Sequence, residues 1–312
     1  MKILVTGGTG FVGLALINQL SNRHEITCFG RRKPIGWEGG FIEGELERLE
    51  TTALDLSGFD VVIHSAARAH VMRDESTNPL EEYRKVNTQG TLSLAKQAAA
   101  QGVARFVFIS SVKVNGESTL DVAFSADDST NPSDDYGVSK AEAEQQLALL
   151  SESSSMDTVI IRPPLVYGPG VKANFASLFK LAGKGIPLPL GCINTNARSL
   201  VSIYNLVDFI ETCSCDPNAA NQTFLVSDGE DVSTRDLVEK LASVQGRSPW
   251  MIPIPLSLFK LLGKVTGKSA AIDRLAGSLQ VDIQKNQRVL NWTPPYTMQQ
   301  SLERMMDELK SS

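Results

Sequence analysis

Two periods of apolar residues alternate along the first half of this chain. Short, mostly apolar runs cover Ile3-Leu4-Val5 and residues 25–29, 60–64, 105–110 and 160–166, as expected of strands covered on both faces. Residues 14–20 and 83–101 place apolar side chains three and four apart, so each predicts a helix with one buried face, and a further helix is expected over 136–150. A further strand is predicted to end at Asp55, in Ala53-Leu54-Asp55-Leu56. Strand and helix in alternation predict an α/β fold, a doubly wound parallel sheet with helices on both faces. Past Pro169 the pattern changes. Tyr167-Gly168-Pro169-Gly170 breaks the last run; a helix over 174–183, an extended piece over 186–190, a strand over 198–203 and a helix over 205–213 follow. The stretch 256–264 is apolar enough to suggest membrane contact, but its length between prolines and glycines predicts a core helix of a smaller second unit.

Composition narrows the class. At 312 residues and 42% hydrophobic content the chain can bury a full core in one large domain or two. A net charge of −5 argues against nucleic acid or an anionic membrane as the main partner, so a bound anion has to be caught by local groups. Cys28, Cys192, Cys213 and Cys215 are irregularly spaced and read as buried thiols of a reducing compartment, with no metal site expected. The chain starts straight into a strand, so no signal peptide is expected. No apolar run nears the roughly 20 residues of a spanning helix, so a soluble, cytoplasmic protein is expected.

The first strand feeds Gly7-Gly8-Thr9-Gly10-Phe11-Val12-Gly13, and a helix follows. In that context glycines let the backbone approach a pyrophosphate while the helix N-terminus supplies N–H donors. Where a carboxylate for the adenine ribose hydroxyls is usual, the second strand ends in Gly30-Arg31-Arg32; two guanidinium groups suit a 2′-phosphate, which predicts NADP, with NAD as the alternative. Asp55 is a candidate acceptor for the adenine amino group, and Ser65-Ala66-Ala67 a small-residue turn against which a flat cofactor fits. His64, on a strand, is expected to be a hydrogen-bonded core residue, and Asn87 to tie neighbouring strands together. Ser111 ends the 105–110 strand, at the edge where open parallel sheets collect ligands.

Tyr136 and Lys140 are four apart and share a helix face if Tyr136 lies in the first turn. A phenol of pKa about 10 needs roughly 4 kcal/mol of differential interaction to fall about three units, and an ammonium beside a helix N-terminus works in that direction. Tyr136 then exchanges a proton with a substrate hydroxyl near pH 7, with Ser111 sharing that proton or holding the oxygen.

Taken in order, the Gly7 to Gly13 loop, Asp55, His64-Ser65-Ala66-Ala67, Asn87, Ser110-Ser111, Tyr136-x-x-x-Lys140 and Arg162-Pro163-Pro164-Leu165-Val166-Tyr167-Gly168-Pro169 resemble the extended short-chain dehydrogenase/reductase family, the nucleotide-sugar epimerases, dehydratases and 4-reductases. The likeness runs over nearly the whole chain. It implies a Rossmann domain over 1–170, with a return segment at about 201–227, and a smaller α+β substrate domain from 171–200 and 228–312. It implies a catalytic set of Ser111, Tyr136 and Lys140, and cofactor contacts from Gly7, Gly10, Phe11, Val12, Gly13, Arg31, Arg32, Asp55, Leu56, Ser65, Ala66, Ala67, Asn87, Ile109, Tyr136, Lys140 and Pro163. Substrate contacts are implied at Ser111, Tyr136, His70, Arg73, Asn174 and Phe175, with Arg198, and more weakly Arg274, for a nucleotide diphosphate.

Two departures qualify this. Leu165, Ser202 and Asn205 stand where many epimerase relatives carry Asn, His and Asp, and Val112-Lys113 follows Ser111 where dehydratases place acids. Elimination is disfavoured. The reading that follows is reduction of a 4-keto UDP-hexose or UDP-N-acetylhexosamine, of the UDP-N-acetylquinovosamine type, in surface polysaccharide synthesis. A UDP-glucose or UDP-N-acetylglucosamine 4-epimerase is the alternative, and a non-catalytic dinucleotide sensor a distant third. Relatives pair through two helices, here 83–101 and 136–150, so a homodimer is expected.

Overall fold

The computed structural model describes residues 1–69, 78–265 and 269–311. Seven strands, all in parallel pairs, form the main sheet: β1 (Lys2–Thr6), β2 (Glu25–Gly30), β3 (Gly40–Glu43), β4 (Val61–His64), β5 (Arg105–Ile109), β6 (Asp157–Arg162) and β9 (Gln222–Leu225), in the order β3-β2-β1-β4-β5-β6-β9. The chain reverses its direction of progress between β1 and β4, the switch point where such sheets open a crevice at the strands' C-terminal ends. On one face pack α1 (Phe11–Leu20) and α6 (Ile203–Cys215), with Ile3, Val5, Leu16, Ile17, Val107, Phe209 and Trp292 in their core. On the other pack α3 (Thr91–Ala100) and α4 (Asp135–Ser153), around Leu4, Val62, Leu94, Phe106, Phe108 and Leu147.

Three elements depart from the pattern-based expectation. Residues 53–56 form no strand: the Gln97 and Gln101 side chains of α3 and its end accept from the Leu54 and Leu56 N–H groups at 2.7 and 2.8 Å. The donors a ladder would use are thus spent on side-chain amides, and β3 takes the sheet edge instead. The helix expected over 83–101 is built as α2 (Pro79–Tyr83), a π-helical turn (Arg84–Gly90) and α3, and the wide turn carries Asn87. The 160–166 run divides at Pro163-Pro164, which bring no N–H to either sheet. β6 ends at Arg162, and β7 (Leu165–Tyr167) joins a second sheet of order β10-β8-β7, with β8 (Arg198–Ser202) parallel to β7 and β10 (Asp231–Val232) antiparallel to β8.

A third core joins this small sheet to α5 (Ala173–Gly183), α7 (Thr234–Ser243) and α11 (Met298–Ser311) through Tyr167, Phe175, Leu188, Leu200, Val238, Met298 and Leu302. The extended piece expected over 186–190 bridges Leu188 to Met251. Three further helices, α8 (Leu256–Val265), α9 (Ser269–Ala276) and α10 (Gln284–Leu290), fill the rest of the second half.

Candidate active site

The glycine loop packs backbone against backbone. Gly7 has φ +76°, and a Cβ on it would lie 2.7 Å from the Ala66 N atom; a Cβ on Gly13 would lie 2.1 Å from the Gly7 carbonyl oxygen. Side chains at either position would push the loop off the 65–67 turn and off α1. Gly10 N–H donates to the Gly7 carbonyl at 2.8 Å, and Gly10 caps α1 through its backbone alone. With no side-chain cap and no acidic residue in its first turn, α1 leaves the Phe11, Val12 and Gly13 N–H groups without intrahelical acceptors. Uncovered donors and the positive end of a helix dipole suit a pyrophosphate. Arg31 and Arg32 follow β2 and are exposed, as is Asp55, which accepts from the Ser57 hydroxyl at 2.6 Å. Ser65 and Ala66 are tied to the end of β1: the Ser65 hydroxyl donates to the Thr6 carbonyl at 2.6 Å and Ala66 N–H to Thr6 Oγ1 at 3.1 Å.

Beneath this turn His64 is fully buried between Thr6 Oγ1 at 2.7 Å and Thr91 Oγ1 at 2.9 Å, the core role expected of it. Burial, helped by the nearby Lys140 charge, lowers its pKa to about 3, so the ring is neutral. Asn87 does not tie strand to strand. Its amide accepts from Arg68 N–H (2.8 Å) and donates to the Arg68 carbonyl (3.0 Å) and to Ser139 Oγ (3.0 Å), which fastens the loop after β4 to α4.

Tyr136 lies in the first turn of α4, as the spacing requires. Asp134 caps that helix, accepting from Gly137 N–H at 2.7 Å. Ser111 caps a short 3-10 turn (Val112–Val114), accepting from Lys113 N–H at 3.3 Å. Lys113 then ties the two turns together: its ammonium pairs with Asp134 and with Glu117 (2.9 Å). Glycine at 137 is what lets them meet, because a Cβ there would sit 2.9 Å from the Lys113 carbonyl oxygen and 3.0 Å from Pro132. Lys113, noticed in the sequence only as a missing acid, is therefore part of what joins the turn that Ser111 caps to the start of α4. The capping residue Asp134 was the available signal, an acid three residues before a glycine at a helix start.

Lys140 is buried, 1% exposed, with its ammonium donating to the Ile109 carbonyl at 2.8 Å and lying 4.3 Å from the Phe108 ring centre. Burial lowers its pKa to about 7, against the opposing pull of Glu144. The phenol of Tyr136 is raised, not lowered: burial dominates, and Asp134 and Tyr83 add to it. The expectation of a phenol drawn down by an ammonium fails here because burial penalises both charged forms. Two more groups the sequence did not single out stand beside it. Tyr83 packs edge-on against Tyr136 with ring centres 6.2 Å apart, and the Arg68 guanidinium lies 5.6 Å from the centre of the Tyr83 ring.

Behind the site, Glu144, one turn past Lys140, accepts from the Ser110 hydroxyl and pairs with Arg162 (2.6 Å), whose other nitrogen reaches Asn115 Oδ1 at 3.1 Å. Ile109 and Pro163 border this cluster; the Pro163 carbonyl accepts from Val112 N–H at 3.0 Å. On the small-sheet side, Asp228 gathers Ser202 N–H (2.8 Å), Asn205 Nδ2 (2.7 Å) and Tyr167 Oη (2.7 Å). Ser202 and Asn205 are thus parts of a buried joint, while Leu165 is 42% exposed.

The substrate candidates divide. Asn174 is exposed at the start of α5, but Phe175 is buried with its ring stacked on Tyr167 at 5.2 Å. Arg198 is half-buried, and its Nη1 donates to the carbonyls of Arg274 (2.6 Å) and Gly277 (3.1 Å), which brings it beside the exposed Arg274. His70 and Arg73 lie outside the described residues.

Comparison with known proteins places this arrangement. A UDP-glucose 4-epimerase of Vibrio cholerae is 52% identical over 97% of this chain and 93% of its own length. The fold matches the solved UDP-glucose 4-epimerase of Thermotoga maritima with UDP-glucose (TM-score 0.78, 21% identity, 100% of this chain and 99% of that one) and the UDP-glucuronic acid 4-epimerase of Bacillus cereus with NAD (TM-score 0.78, 22% identity, 100% and 99%). The model of the NAD dependent epimerase/dehydratase family matches residues 3–219, from β1 and its glycine loop to the turn after α6, and on this match and the Vibrio relative the chain belongs to that family.

Proposed function

We propose that the protein is an NAD-dependent 4-epimerase of a UDP-hexose or UDP-N-acetylhexosamine. The observation that carries this is the 52% identity to a UDP-glucose 4-epimerase over 97% of the chain, and it favours the epimerase over the 4-keto reductase that the sequence pattern suggested. The residues proposed to hold the dinucleotide are those of the glycine loop, α1 and the 65–67 turn, with Asp55 and Leu56 at the adenine and Asn87, Ile109, Lys140 and Pro163 toward the nicotinamide. The division into a dinucleotide domain and a substrate domain at the boundaries given above, and a homodimer through α3 and α4, belong to the same proposal.

When bound, the nicotinamide supplies a hydride acceptor and donor. The protein's part is the proton. Tyr136 takes the C4 hydroxyl proton as the alcohol becomes a ketone and returns it to the C4 oxygen as the ketone is reduced on its opposite face. Ser111 holds the C4 oxygen, and Lys140 supplies positive charge once protonated, below about pH 7. A raised phenol is a ready donor for the second half of this cycle; the first half needs a cation nearby. Arg198 with Arg274 and Asn174 is proposed to meet the nucleotide diphosphate.

Stoichiometry tests the reading. Pure enzyme with a trace of NAD should interconvert UDP-glucose and UDP-galactose, or the N-acetyl pair; conversion only of 4-keto sugars, with one nicotinamide consumed per turn, returns the reductase. Tyr136→Phe should bind NAD normally and lose about 10²–10⁴ in turnover. Arg31→Ala with Arg32→Ala should leave NAD affinity unchanged, whereas a wild-type preference for NADP that this double variant abolishes would reinstate NADP.

A further inference from the structure

The charge of −5 is unevenly distributed. Residues 158–207 and 240–272 contain ten of the 30 Lys and Arg and none of the 35 Asp and Glu. Part of that positive charge is committed inward: Arg162 to Glu144, Arg198 to backbone carbonyls. Lys180, Lys184, Arg247 and Lys264 are exposed.

These cations border an apolar surface. The strand-like pieces at 186–190 and 250–252 run side by side, Leu188 N–H donating to the Trp250 carbonyl and Ile252 N–H to the Leu188 carbonyl, both at 2.8 Å. Leu188 faces the core and Met251 packs against it. Alternation along a strand turns Trp250 and Ile252 the other way, and they are 71% and 37% exposed; Ile186 is 45% exposed. Arg247 Cδ stands 3.8 Å from where a Gly185 Cβ would be, so Lys184 and Arg247 flank the apolar strip at one end. α8 follows the second piece directly, with Phe259 packed on the core, Leu258 46% exposed and Lys264 exposed.

We propose that this face, formed by Trp250, Ile252 and Leu258 with Lys180, Lys184, Arg247 and Lys264, docks the protein peripherally on an anionic lipid surface. Tryptophan and aliphatic tips set among cations match a headgroup boundary, where the ring sits at the interface and each cation near the surface contributes about 1 kcal/mol. Neither segment carries a carboxylate, whereas the rest of the chain has 20 cations against 35 acids. The attachment is peripheral, since among the described residues no helix is long and apolar enough to cross a membrane. The proposal does not rest on the 4-epimerase reading.

The test is sedimentation of the full chain with vesicles of phosphatidylglycerol and phosphatidylcholine, or of phosphatidylcholine alone, at low and high salt. The protein should pellet with the anionic vesicles only, be released by salt, and shift the Trp250 emission to shorter wavelength. Lys180→Gln with Lys184→Gln should weaken binding about 10–30-fold, from about 1 kcal/mol per charge, and Trp250→Ser with Leu258→Ser should abolish the emission shift. Turnover of a soluble UDP-sugar by these variants, or circular dichroism should the protein prove inactive, checks that they are folded. Wild type left in the supernatant with anionic vesicles overturns the proposal. So does binding indifferent to the lysines, or a change of Trp250→Ser from dimer to monomer in velocity sedimentation, which would assign the face to a second copy of the chain.

Discussion

Buried polar groups stand on both sides of the candidate site, and burial moves them in opposite directions. On the main-sheet side they are bases: His64 between two threonines and Lys140 against a carbonyl, both lowered. Next to them the Arg162–Glu144 pair is 6% exposed on each side. On the small-sheet side the buried group is one carboxylate, Asp228, held by three neutral donors and raised by burial. A lone buried charge satisfied by neutral partners can be exchanged for a neutral group at little cost; half of a buried ion pair cannot be removed without stranding the other. The two sides should therefore respond differently to the same kind of substitution.

The largest effect is expected at the ion pair. Glu144→Ala strands Arg162 and the Ser110 hydroxyl and should cost about 3–5 kcal/mol in urea unfolding, while Glu144→Leu with Arg162→Met should recover most of that. A single-variant cost under about 1 kcal/mol would mean that the pair does not join α4 to β6.

Acid should separate the sides next. The folded pKa of His64, about 3, lies below its ordinary 6.5, so its contribution is complete above pH 6.5 and is lost as pH falls toward 3. At roughly 1.4 kcal/mol per unit this amounts to about 3 kcal/mol by pH 4. His64→Asn should be less stable than wild type at pH 7 but show a flatter decline over pH 6.5–4. Parallel pH curves for the two proteins would remove His64 from the comparison.

On the small-sheet side Tyr167→Phe, which deletes one donor to Asp228, should cost about 1–2 kcal/mol. Asp228→Asn should be the mildest, within about 1 kcal/mol at pH 7, because the amide oxygen accepts from Ser202 and Asn205 while its nitrogen meets the Tyr167 oxygen. The folded pKa of Asp228 is raised, so wild type carries the burden of a buried carboxylate at neutral pH and sheds it as pH falls through that value. The difference between the two proteins should accordingly move in favour of wild type on acidification.

What the sequence determined by itself is local. Short, mostly apolar runs and helical spacing located β1, β2, β4, β5 and most of the helices, because each period is set by the geometry of one element. The glycine loop was legible for the same reason: loop, helix start and missing cap lie within seven residues. So was the placement of Tyr136 in a first turn four residues from Lys140.

What tertiary structure decided involves residues distant in the chain. Whether 53–56 joins the sheet depended on Gln97 and Gln101, more than 40 positions away, taking its N–H groups. The meeting of the turn that Ser111 caps with the start of α4 depended on Lys113, Asp134 and the room left by Gly137. The protonation state of the candidate catalytic pair was misjudged from spacing, because spacing supplies the attraction between an ammonium and a phenolate but not the desolvation that opposes both. Net charge has a related limit: it sums over the chain, whereas a surface is defined by which segments fold next to each other, as 186–190 and 250–252 do here.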